Sequence, residues 1–164
     1  MRVLVTGATG FLGRAIVNAL AASGHEIIAL ARPASEPKPR DGVALLCGDL
    51  RQKGEWCEAI AGVEAIVHAA AATSGGFPEQ FASTVVATEN LLDCIDWSAL
   101  KRFVLVSTFS VYDYSARGSQ LDEGHPIEQE PARRDAYTWS KLLQEEAVTA
   151  ACAQHDVPLV SIRP

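Results

Sequence analysis

Two side chains late in the sequence have the types and the spacing of a proton-transfer pair. Tyr137 and Lys141 are four residues apart in a stretch, residues 137–154, whose pattern predicts a helix, so the phenol and the ammonium share one helix face. A tyrosine is a poor base at neutral pH, but a nearby positive charge stabilises its phenolate. Such a tyrosine can accept a proton from a hydroxyl while hydride leaves the adjacent carbon, and can return it when a carbonyl is reduced. The alternative is an exposed helical pair without a chemical role.

Hydroxyl side chains follow an apolar run at residues 103–106. Ser107, Thr108 and Ser110 come directly after this predicted strand. The carboxyl ends of parallel strands border the ligand crevice, so a hydroxyl here could hydrogen-bond the reacting oxygen of a substrate. For Ser107 and Ser110 the pattern favours local capping of the backbone instead.

The first strand-like run ends in a glycine-rich turn, residues 6–13, with the spacing GxxGxxG. Gly7 permits a tight turn, Gly10 lets the backbone approach a pyrophosphate, and Gly13 lets the next helix pack closely on the strand. The N–H groups and the dipole of that helix favour a phosphate at its start. The turn predicts dinucleotide binding; the alternative is a glycine turn with a packing role only.

The end of the second strand bears on the choice of cofactor. An NAD site usually has an acid there, which bonds the ribose 2′-hydroxyl, but this chain has Ala31 followed by Arg32. A guanidinium can bind a 2′-phosphate through two hydrogen bonds. The sequence therefore favours NADP and leaves NAD open, and the alternative for Arg32 is a solvated loop cation.

Two later strand ends complete the predicted cofactor site. Asp49 follows the third strand, where its carboxylate could accept a hydrogen bond from an adenine amino group. Small alanine side chains follow the fourth strand and would let the backbone pass close to the cofactor. His68 precedes them and is predicted to be a hydrogen-bonded strand-end residue, and no metal site is predicted.

Short apolar runs alternate with helical stretches along the whole chain. This alternation predicts a doubly wound α/β fold, a six-stranded parallel sheet flanked by helices, with strands buried on both faces. The strand candidates are residues 3–5, 27–30, 43–47, 65–67, 103–106 and 158–162, and the helical candidates are 11–23, 52–61, 78–96 and 137–154. Residues 33–42 and 113–134 are predicted to be irregular, the second either a surface excursion or a functional loop.

The composition excludes several classes of protein. The chain has 164 residues, of which 48% are hydrophobic, and a net charge of −6. These values fit one folded domain, residues 1–164, and argue against disorder and against a nucleic-acid-binding surface. No apolar run is long enough for a membrane span and no leader is evident, so a cytoplasmic location is expected. The four scattered cysteines are predicted to be free thiols rather than disulfides or zinc ligands.

Together these motifs resemble the extended short-chain dehydrogenase/reductases, a family of NAD(P)-dependent epimerases, dehydratases and reductases that act largely on nucleotide sugars. The resemblance covers essentially the whole chain. It rests on the glycine turn, Gly48-Asp49-Leu50, His68-Ala69-Ala70-Ala71, Thr88-Glu89-Asn90-Leu91-Leu92, residues 107–112 and the Tyr137–Lys141 pair.

The resemblance implies roles for particular residues. It implies that Tyr137 is the catalytic acid/base, that Lys141 also holds the nicotinamide ribose, and that Thr108 is the catalytic hydroxyl. It implies a homodimer through the helices near 78–96 and 137–154, although the apolar stripe of the last helix fits docking on the sheet equally well. The implied cofactor-binding residues are Gly7, Thr9, Gly10, Phe11, Leu12, Gly13, Arg32, Asp49, Leu50, Ala69, Ala70, Ala71, Tyr137 and Lys141.

The chain departs from the family pattern in three places. Thr84 occupies the position of an asparagine that fixes a proton-relay water, and Asp113 replaces the glycine that usually follows Val-Tyr. Family members also continue past the Arg-Pro pair at 163–164 into a substrate-binding region, so the chain is expected to be a truncated dinucleotide-binding domain.

The sequence thus predicts an NADP- or NAD-dependent oxidoreductase acting on a hydroxyl or carbonyl substrate, with a nucleotide sugar as the first expectation. A ketone reductase for a non-sugar substrate and a non-catalytic NADP(H)-sensing module are the alternatives. Epimerase, dehydratase and reductase chemistry stay open, although no acid pair of the dehydratase type lies beside Thr108. No membrane or nucleic-acid partner is predicted.

Overall fold

Six parallel strands form one sheet in the order β3-β2-β1-β4-β5-β6 in the computed structural model, which describes residues 1–35, 42–115 and 121–164. The strands are β1 (Arg2–Thr6), β2 (Glu26–Ala31), β3 (Val43–Cys47), β4 (Ala65–His68), β5 (Arg102–Val106) and β6 (Leu159–Ile162). The predicted six-stranded doubly wound sheet is confirmed. Residues 36–41 and 116–120 of the two stretches expected to be irregular lie outside the described residues.

Within the described ranges, five α-helices connect or flank the strands. They are α1 (Phe11–Ala22), α2 (Trp56–Ala59), α3 (Phe77–Phe81), α4 (Ala87–Asp93) and α5 (Ala136–Gln154), and a π-helical segment (Ala82–Val86) joins α3 to α4. The helix expected over residues 52–61 is reduced to α2. The single helix expected over 78–96 is instead this run of three pieces, interrupted by the π turn.

The core lies on both faces of the sheet because alternate strand residues point to opposite sides. Val3 and Val5 pack with Val17 of α1 on one face. On the other face Leu4 belongs to a larger cluster that includes Leu91 of α4 and Val148 of α5. The edge strands β3 and β6 keep exposed residues, so the expectation of burial on both faces is wrong for these two strands.

Cys57 and Cys94 form a disulfide between α2 and the end of α4, with Cα atoms 5.0 Å apart. The expectation of free thiols is therefore wrong for this pair, and it holds for exposed Cys47 and buried Cys152. The two residues are 37 positions apart and meet because both helices lie on the same face of the sheet. Within the described ranges, no helix has the length and apolar character needed to cross a bilayer.

Candidate functional site

A cavity of about 440 Å³ opens at the carboxyl ends of β1, β2, β3 and β4. It is the position expected for a ligand in a parallel sheet, where the strand order reverses between β1 and β4. Its lining includes nine of the predicted cofactor residues, which are Gly7, Thr9, Gly10, Arg32, Asp49, Leu50, Ala69, Ala70 and Ala71. The structure therefore brings most of the predicted cofactor site together around one space.

Backbone atoms in and around the glycine turn lie too close together for a side chain at Gly7 or Gly13. Gly7 has a φ of +65°, and a Cβ there would lie 2.8 Å from backbone atoms of both Ala69 and Ala70. A Cβ on Gly13 would lie 2.0 Å from the carbonyl oxygen of Gly7. Any side chain at either position would push apart the turn, the loop after β4 and the start of α1.

Phe11, Leu12 and Gly13 do not line the cavity. Phe11 is 91% exposed and Leu12 is also exposed in the first turn of α1, whereas Gly13 is buried behind the turn. The first backbone N–H groups of a helix have no acceptor within the helix. A contribution of Phe11 and Leu12 to phosphate binding would therefore come from their N–H groups.

Two arginines border the cavity. Arg32 follows β2 at an exposed position, and Arg51 lies near the third strand end, where its Nε and Nη2 atoms donate to both carboxylate oxygens of Asp49 at 2.6–3.1 Å. Hydrogen bonding to Arg51 holds the pKa of the Asp49 carboxyl below its usual range, and the charge of Arg32 acts in the same direction. Asp49 thus faces Arg51 in this structure, and its contact with adenine stays a prediction.

Arg51 was not among the predicted site residues. Its sequence signal is its position two residues after Asp49, in the turn that follows β3. Within the described residues, Glu79 is a further acid in the lining, 3.6 Å from Arg51, so Arg51 lies between two carboxylates whereas Arg32 has no ion pair there.

His68 is fully buried at the end of β4, and its two hydrogen bonds confirm the prediction of a hydrogen-bonded strand-end residue. Its Nδ1 lies 2.6 Å from the Thr6 hydroxyl and its Nε2 lies 2.8 Å from the Thr88 hydroxyl. Burial lowers the pKa of the imidazole to about 3, with a smaller effect from the Lys141 charge, so the ring is neutral near pH 7. No group of three or more metal-ligating side chains occurs within residues 1–35, 42–115 and 121–164.

Lys141 is only 1% exposed, although it carries an ammonium group. The ammonium donates to the carbonyl oxygen of Val106 at 2.8 Å and to Oε1 of Gln144. Burial lowers its pKa to about 8, and the Glu145 carboxylate acts in the opposite direction. The bond to Val106 fixes α5 against the end of β5, two residues before Thr108.

Thr108, rather than Ser107 or Ser110, caps the turn that follows β5. Its Oγ1 accepts a hydrogen bond from the backbone N–H of Ser110 at 3.2 Å and donates to the Ser110 hydroxyl. The Ser107 hydroxyl is buried without a hydrogen-bond partner among the described residues. The capping role expected for Ser107 and Ser110 is therefore wrong, and Ser107 presents an unused donor beside Thr108.

Tyr137 is half-buried in the first turn of α5. The helix begins after Asp135, whose carboxylate accepts from the N–H of Thr138 at 2.7 Å. The positive end of the helix dipole favours negative charge in this turn. Helix α5 packs against the short 3-10 turn at Phe109–Val111, and its Lys141 bonds the end of β5, so Lys141 and Thr108 lie in one region at the carboxyl edge of the sheet, with Tyr137 one turn before Lys141 on the same helix.

An ion pair fastens α5 to β6 and to the loop after β5. Arg163 donates through Nε and Nη2 to the Glu145 carboxylate at 3.0 and 2.8 Å and through Nη1 to the Tyr112 hydroxyl at 3.2 Å. These bonds raise the pKa of Arg163 above its ordinary value. Residue spacing alone gave no signal for this pair because its members are 18 positions apart.

The two local departures from the family pattern have structural counterparts. Thr84 is buried in the π-helical segment, and its hydroxyl oxygen accepts from the N–H of Ala72 at 3.0 Å. Asp113 accepts from the N–H and hydroxyl of Ser115. Thr84 thus holds the loop after β4, which lines the cavity.

Residues 3–164 match the model of the NAD dependent epimerase/dehydratase family. The chain belongs to the NAD dependent epimerase/dehydratase family. The expected resemblance to extended short-chain dehydrogenase/reductases is thereby confirmed.

The curated relatives that the chain matches include reductases. The chain is 32% identical to a 2-alkyl-3-oxoalkanoate reductase from Stenotrophomonas maltophilia, over all of this chain and 50% of the relative. It is 33% identical to a 4-hydroxy-2-methyl-3-oxo-4-farnesyl-3,4-dihydroquinoline-1-oxide ketoreductase from Stigmatella aurantiaca, over 92% of this chain and 46% of the relative. The chain spans about half the length of the curated relatives it matches.

Solved structures of the epimerase/dehydratase type have the same fold. A short-chain dehydrogenase/reductase superfamily protein from Agrobacterium tumefaciens with bound NAD gives a TM-score of 0.80 at 31% identity, over 99% of this chain and 48% of that one. MoeE5 in complex with UDP-glucose and NAD gives 0.79 at 26% identity, over 98% and 52%. These neighbours bind NAD.

Proposed function

We propose that this chain is the dinucleotide-binding domain of an NAD(P)-dependent oxidoreductase that moves a proton through Tyr137 while hydride is exchanged with a hydroxyl or carbonyl carbon. The observation that carries this proposal is the buried ammonium of Lys141, fixed at the carboxyl edge of the sheet on the same helix as Tyr137. A buried positive charge at this place favours a phenolate on the neighbouring tyrosine.

The cavity fits a dinucleotide. Its glycine turn leaves no space for a Cβ at Gly7 or Gly13, and the start of α1 presents free N–H groups for a pyrophosphate. When bound, the nicotinamide ring supplies the hydride acceptor or donor. Thr108 would hydrogen-bond the reacting oxygen, Tyr137 would accept or return its proton, and Lys141 would hold the ribose hydroxyls and stabilise the phenolate.

We further propose that NADP is preferred over NAD. Ala31 at the end of β2 leaves the site without the acid that would repel a 2′-phosphate, and Arg32 lies beside the cavity. Arg51 adds a second guanidinium at the same end, although Asp49 already neutralises much of its charge.

Two substrate classes have separate support. A nucleotide sugar is the first candidate, in keeping with the UDP-glucose complex of MoeE5. A non-sugar ketone is the second, favoured by an aromatic surface in which the half-exposed ring of Phe77 lies 4.7 Å from that of Trp139, two residues after Tyr137. The ketone reductases among the curated relatives support the same class.

A homodimer through α4 and α5 is also proposed. Trp97 stacks on His155 with ring centroids 4.4 Å apart beside a groove formed by these helices. Light scattering after size-exclusion chromatography distinguishes a dimer from a monomer.

The test compares the wild type with Tyr137→Phe. The full-length protein should bind NADPH or NADH in a fluorescence titration, and failure to bind either refutes the proposal. With UDP-glucose, dTDP-glucose and an apolar 3-oxo ester as substrates, Tyr137→Phe should bind cofactor normally but lose at least about 10²-fold in turnover. Equal turnover would remove Tyr137 from the mechanism, and cofactor binding without turnover of any substrate would favour the sensing module.

A further inference from the structure

Gln144 is a fully buried amide one turn after Lys141, and every polar atom of its side chain has a partner. Oε1 accepts a hydrogen bond from the Lys141 ammonium, while Nε2 donates to the Thr88 hydroxyl at 2.8 Å and to the carbonyl oxygen of Ala70 at 3.3 Å. An ammonium can only donate, so the amide has one possible orientation, with Oε1 toward Lys141. Gln144 therefore connects the lysine to the loop after β4.

The hydrogen bonds beyond Gln144 extend through Thr88 and His68 to Thr6. The Thr88 hydroxyl donates its proton to the carbonyl oxygen of Thr84 at 2.6 Å, so towards His68 its oxygen can only accept. Nε2 of His68 lies 2.8 Å from the Thr88 hydroxyl and 3.1 Å from Nε2 of Gln144. With its proton on Nε2 the ring donates to Thr88 and Nδ1 accepts from Thr6, whereas with its proton on Nδ1 the ring donates to Thr6 and Nε2 accepts from Gln144. The low pKa of His68 agrees with a ring that carries one proton.

This network also holds the cavity wall. The Thr6 oxygen accepts from the N–H of Ala70 at 3.2 Å, the amide of Gln144 donates to the Ala70 carbonyl, and Thr84 accepts from the N–H of Ala72. Ala69, Ala70 and Ala71 line the cavity. The same side chains thus orient the lysine and the loop against which a cofactor would lie.

We propose that Gln144 is a positioning residue that orients the Lys141 ammonium toward the cofactor ribose. Through its bond to the Ala70 carbonyl it also fixes the position of that ammonium relative to the loop at residues 69–72. This inference deepens the proposed function and rests on it for the ribose contact. Of the three N–H donors of the ammonium, Val106 and Gln144 take two within the described residues, and the third is left for a ligand.

The neutral amide has a chemical consequence. A carboxylate in place of Gln144 would pair with the ammonium and cancel the positive charge that a neighbouring phenolate needs. The amide oxygen orients the ammonium without neutralising it. In the structure burial alone then lowers the pKa of Lys141 to about 8, which keeps the group charged near neutral pH.

The charged and titratable groups around Lys141 are few. Its own helix carries Tyr137, Glu145 and the exposed Glu146. Arg163, directly after β6, pairs with Glu145, and β4 contributes the neutral His68. The end of β5 presents the Val106 carbonyl, and the π-helical segment carries no titratable side chain. On α3 and α4, Glu79 and Asp93 pair with Arg51 and Lys53, and Glu89 is exposed.

The first test follows the titration of Lys141 without any turnover. The chain has four lysines, so side-chain NMR with isotope-labelled lysine can resolve them, and Lys141→Arg assigns the signal. Gln144→Glu should raise the titration midpoint of Lys141 by about one pH unit or more, because a carboxylate stabilises the charged ammonium more than an amide oxygen does. Gln144→Leu should lower the midpoint, because leucine offers the ammonium no acceptor. Val148→Ala, a buried change on the same helix, should leave the midpoint in place.

The second test measures NADPH affinity by fluorescence. Gln144→Leu should weaken binding about tenfold, whereas Val148→Ala should lower thermal stability at unchanged affinity. Should Gln144→Leu fail to fold, Gln144→Glu has the same shape and carries the test alone. An unchanged midpoint and affinity in the Gln144 variants would overturn the inference. If the wild type binds neither NADPH nor NADH, the proposed function fails, while the NMR titration still decides whether Gln144 controls Lys141.

Discussion

The ammonium nitrogen of Lys141 lies 2.8 Å from the carbonyl oxygen of Val106, the last residue of β5. This bond ties the helix that carries Tyr137 to the strand that leads into Thr108. A buried ammonium is stable only where acceptors replace its water, and here a backbone carbonyl and an amide oxygen do so.

The first prediction concerns acid stability. His68 is fully buried and its pKa falls from 6.5 to about 3, so between these values the unfolded chain binds a proton that the folded chain does not. Stability should therefore fall as the pH drops from 6.5 toward 3, by up to about 1.4 kcal/mol per pH unit. Urea unfolding of the wild type at several pH values measures this slope.

His68→Gln is the matched variant, because a glutamine cannot titrate in this range. Its slope between pH 6.5 and 3 should be smaller than that of the wild type. Identical slopes in the two proteins would contradict the neutral buried imidazole.

The second prediction concerns the glycine turn. A Cβ at Gly13 would lie 2.0 Å from the Gly7 carbonyl oxygen, so Gly13→Ala should lower the free energy of unfolding by about 1–3 kcal/mol, despite alanine's better helix propensity. It should also weaken NADPH binding. Gly54→Ala is the control, since a Cβ there would meet nothing closer than 3.8 Å. The prediction fails if both variants unfold at the wild-type urea concentration.

The sequence predicted the parts of the site that are close together along the chain. The glycine turn, the Tyr137–Lys141 pair and the six strands each depend on spacing over a few residues, and periodicity and turn chemistry report such spacing directly. The end of each parallel strand also has a known position, so Arg32 and Asp49 could be placed at the cavity before the fold was seen.

The parts that could not be predicted depend on contacts between distant segments. Gln144 meets Thr88 across 56 positions, and nothing in either local pattern distinguishes that amide from a solvated one. The disulfide between Cys57 and Cys94 is similar, because scattered cysteines carry no pairing signal. The burial of Lys141 also escaped prediction, since a lysine on a helix is ordinarily solvated.

The third prediction concerns cofactor choice. Arg32→Ala should weaken NADPH binding about tenfold and leave NADH binding nearly unchanged, because only NADPH carries the 2′-phosphate. Arg51→Ala is the comparison, since this guanidinium lines the same cavity but is held by Asp49. It should change both affinities to a similar extent. Dissociation constants from fluorescence titration measure the effects. An unaltered ratio of the NADPH and NADH dissociation constants in Arg32→Ala would show that Arg32 does not contribute to the choice of cofactor.

The last prediction concerns the link between α2 and α4. The disulfide between Cys57 and Cys94 closes a loop with a sequence separation of 37 residues, which by the chain-entropy argument stabilises the folded state by about 4 kcal/mol. Reduction with dithiothreitol should therefore lower the free energy of unfolding by an amount of this order. The double variant Cys57→Ser/Cys94→Ser should start at the lower stability and show no response to reductant, because its two remaining cysteines are unpaired in the structure.

Thiol labelling of the unfolded protein before and after reduction checks the bond itself. If reduction releases two additional thiols but the oxidised and reduced wild type are equally stable, the disulfide forms without stabilising the fold. Four free thiols in the unreduced protein would instead contradict the bond itself.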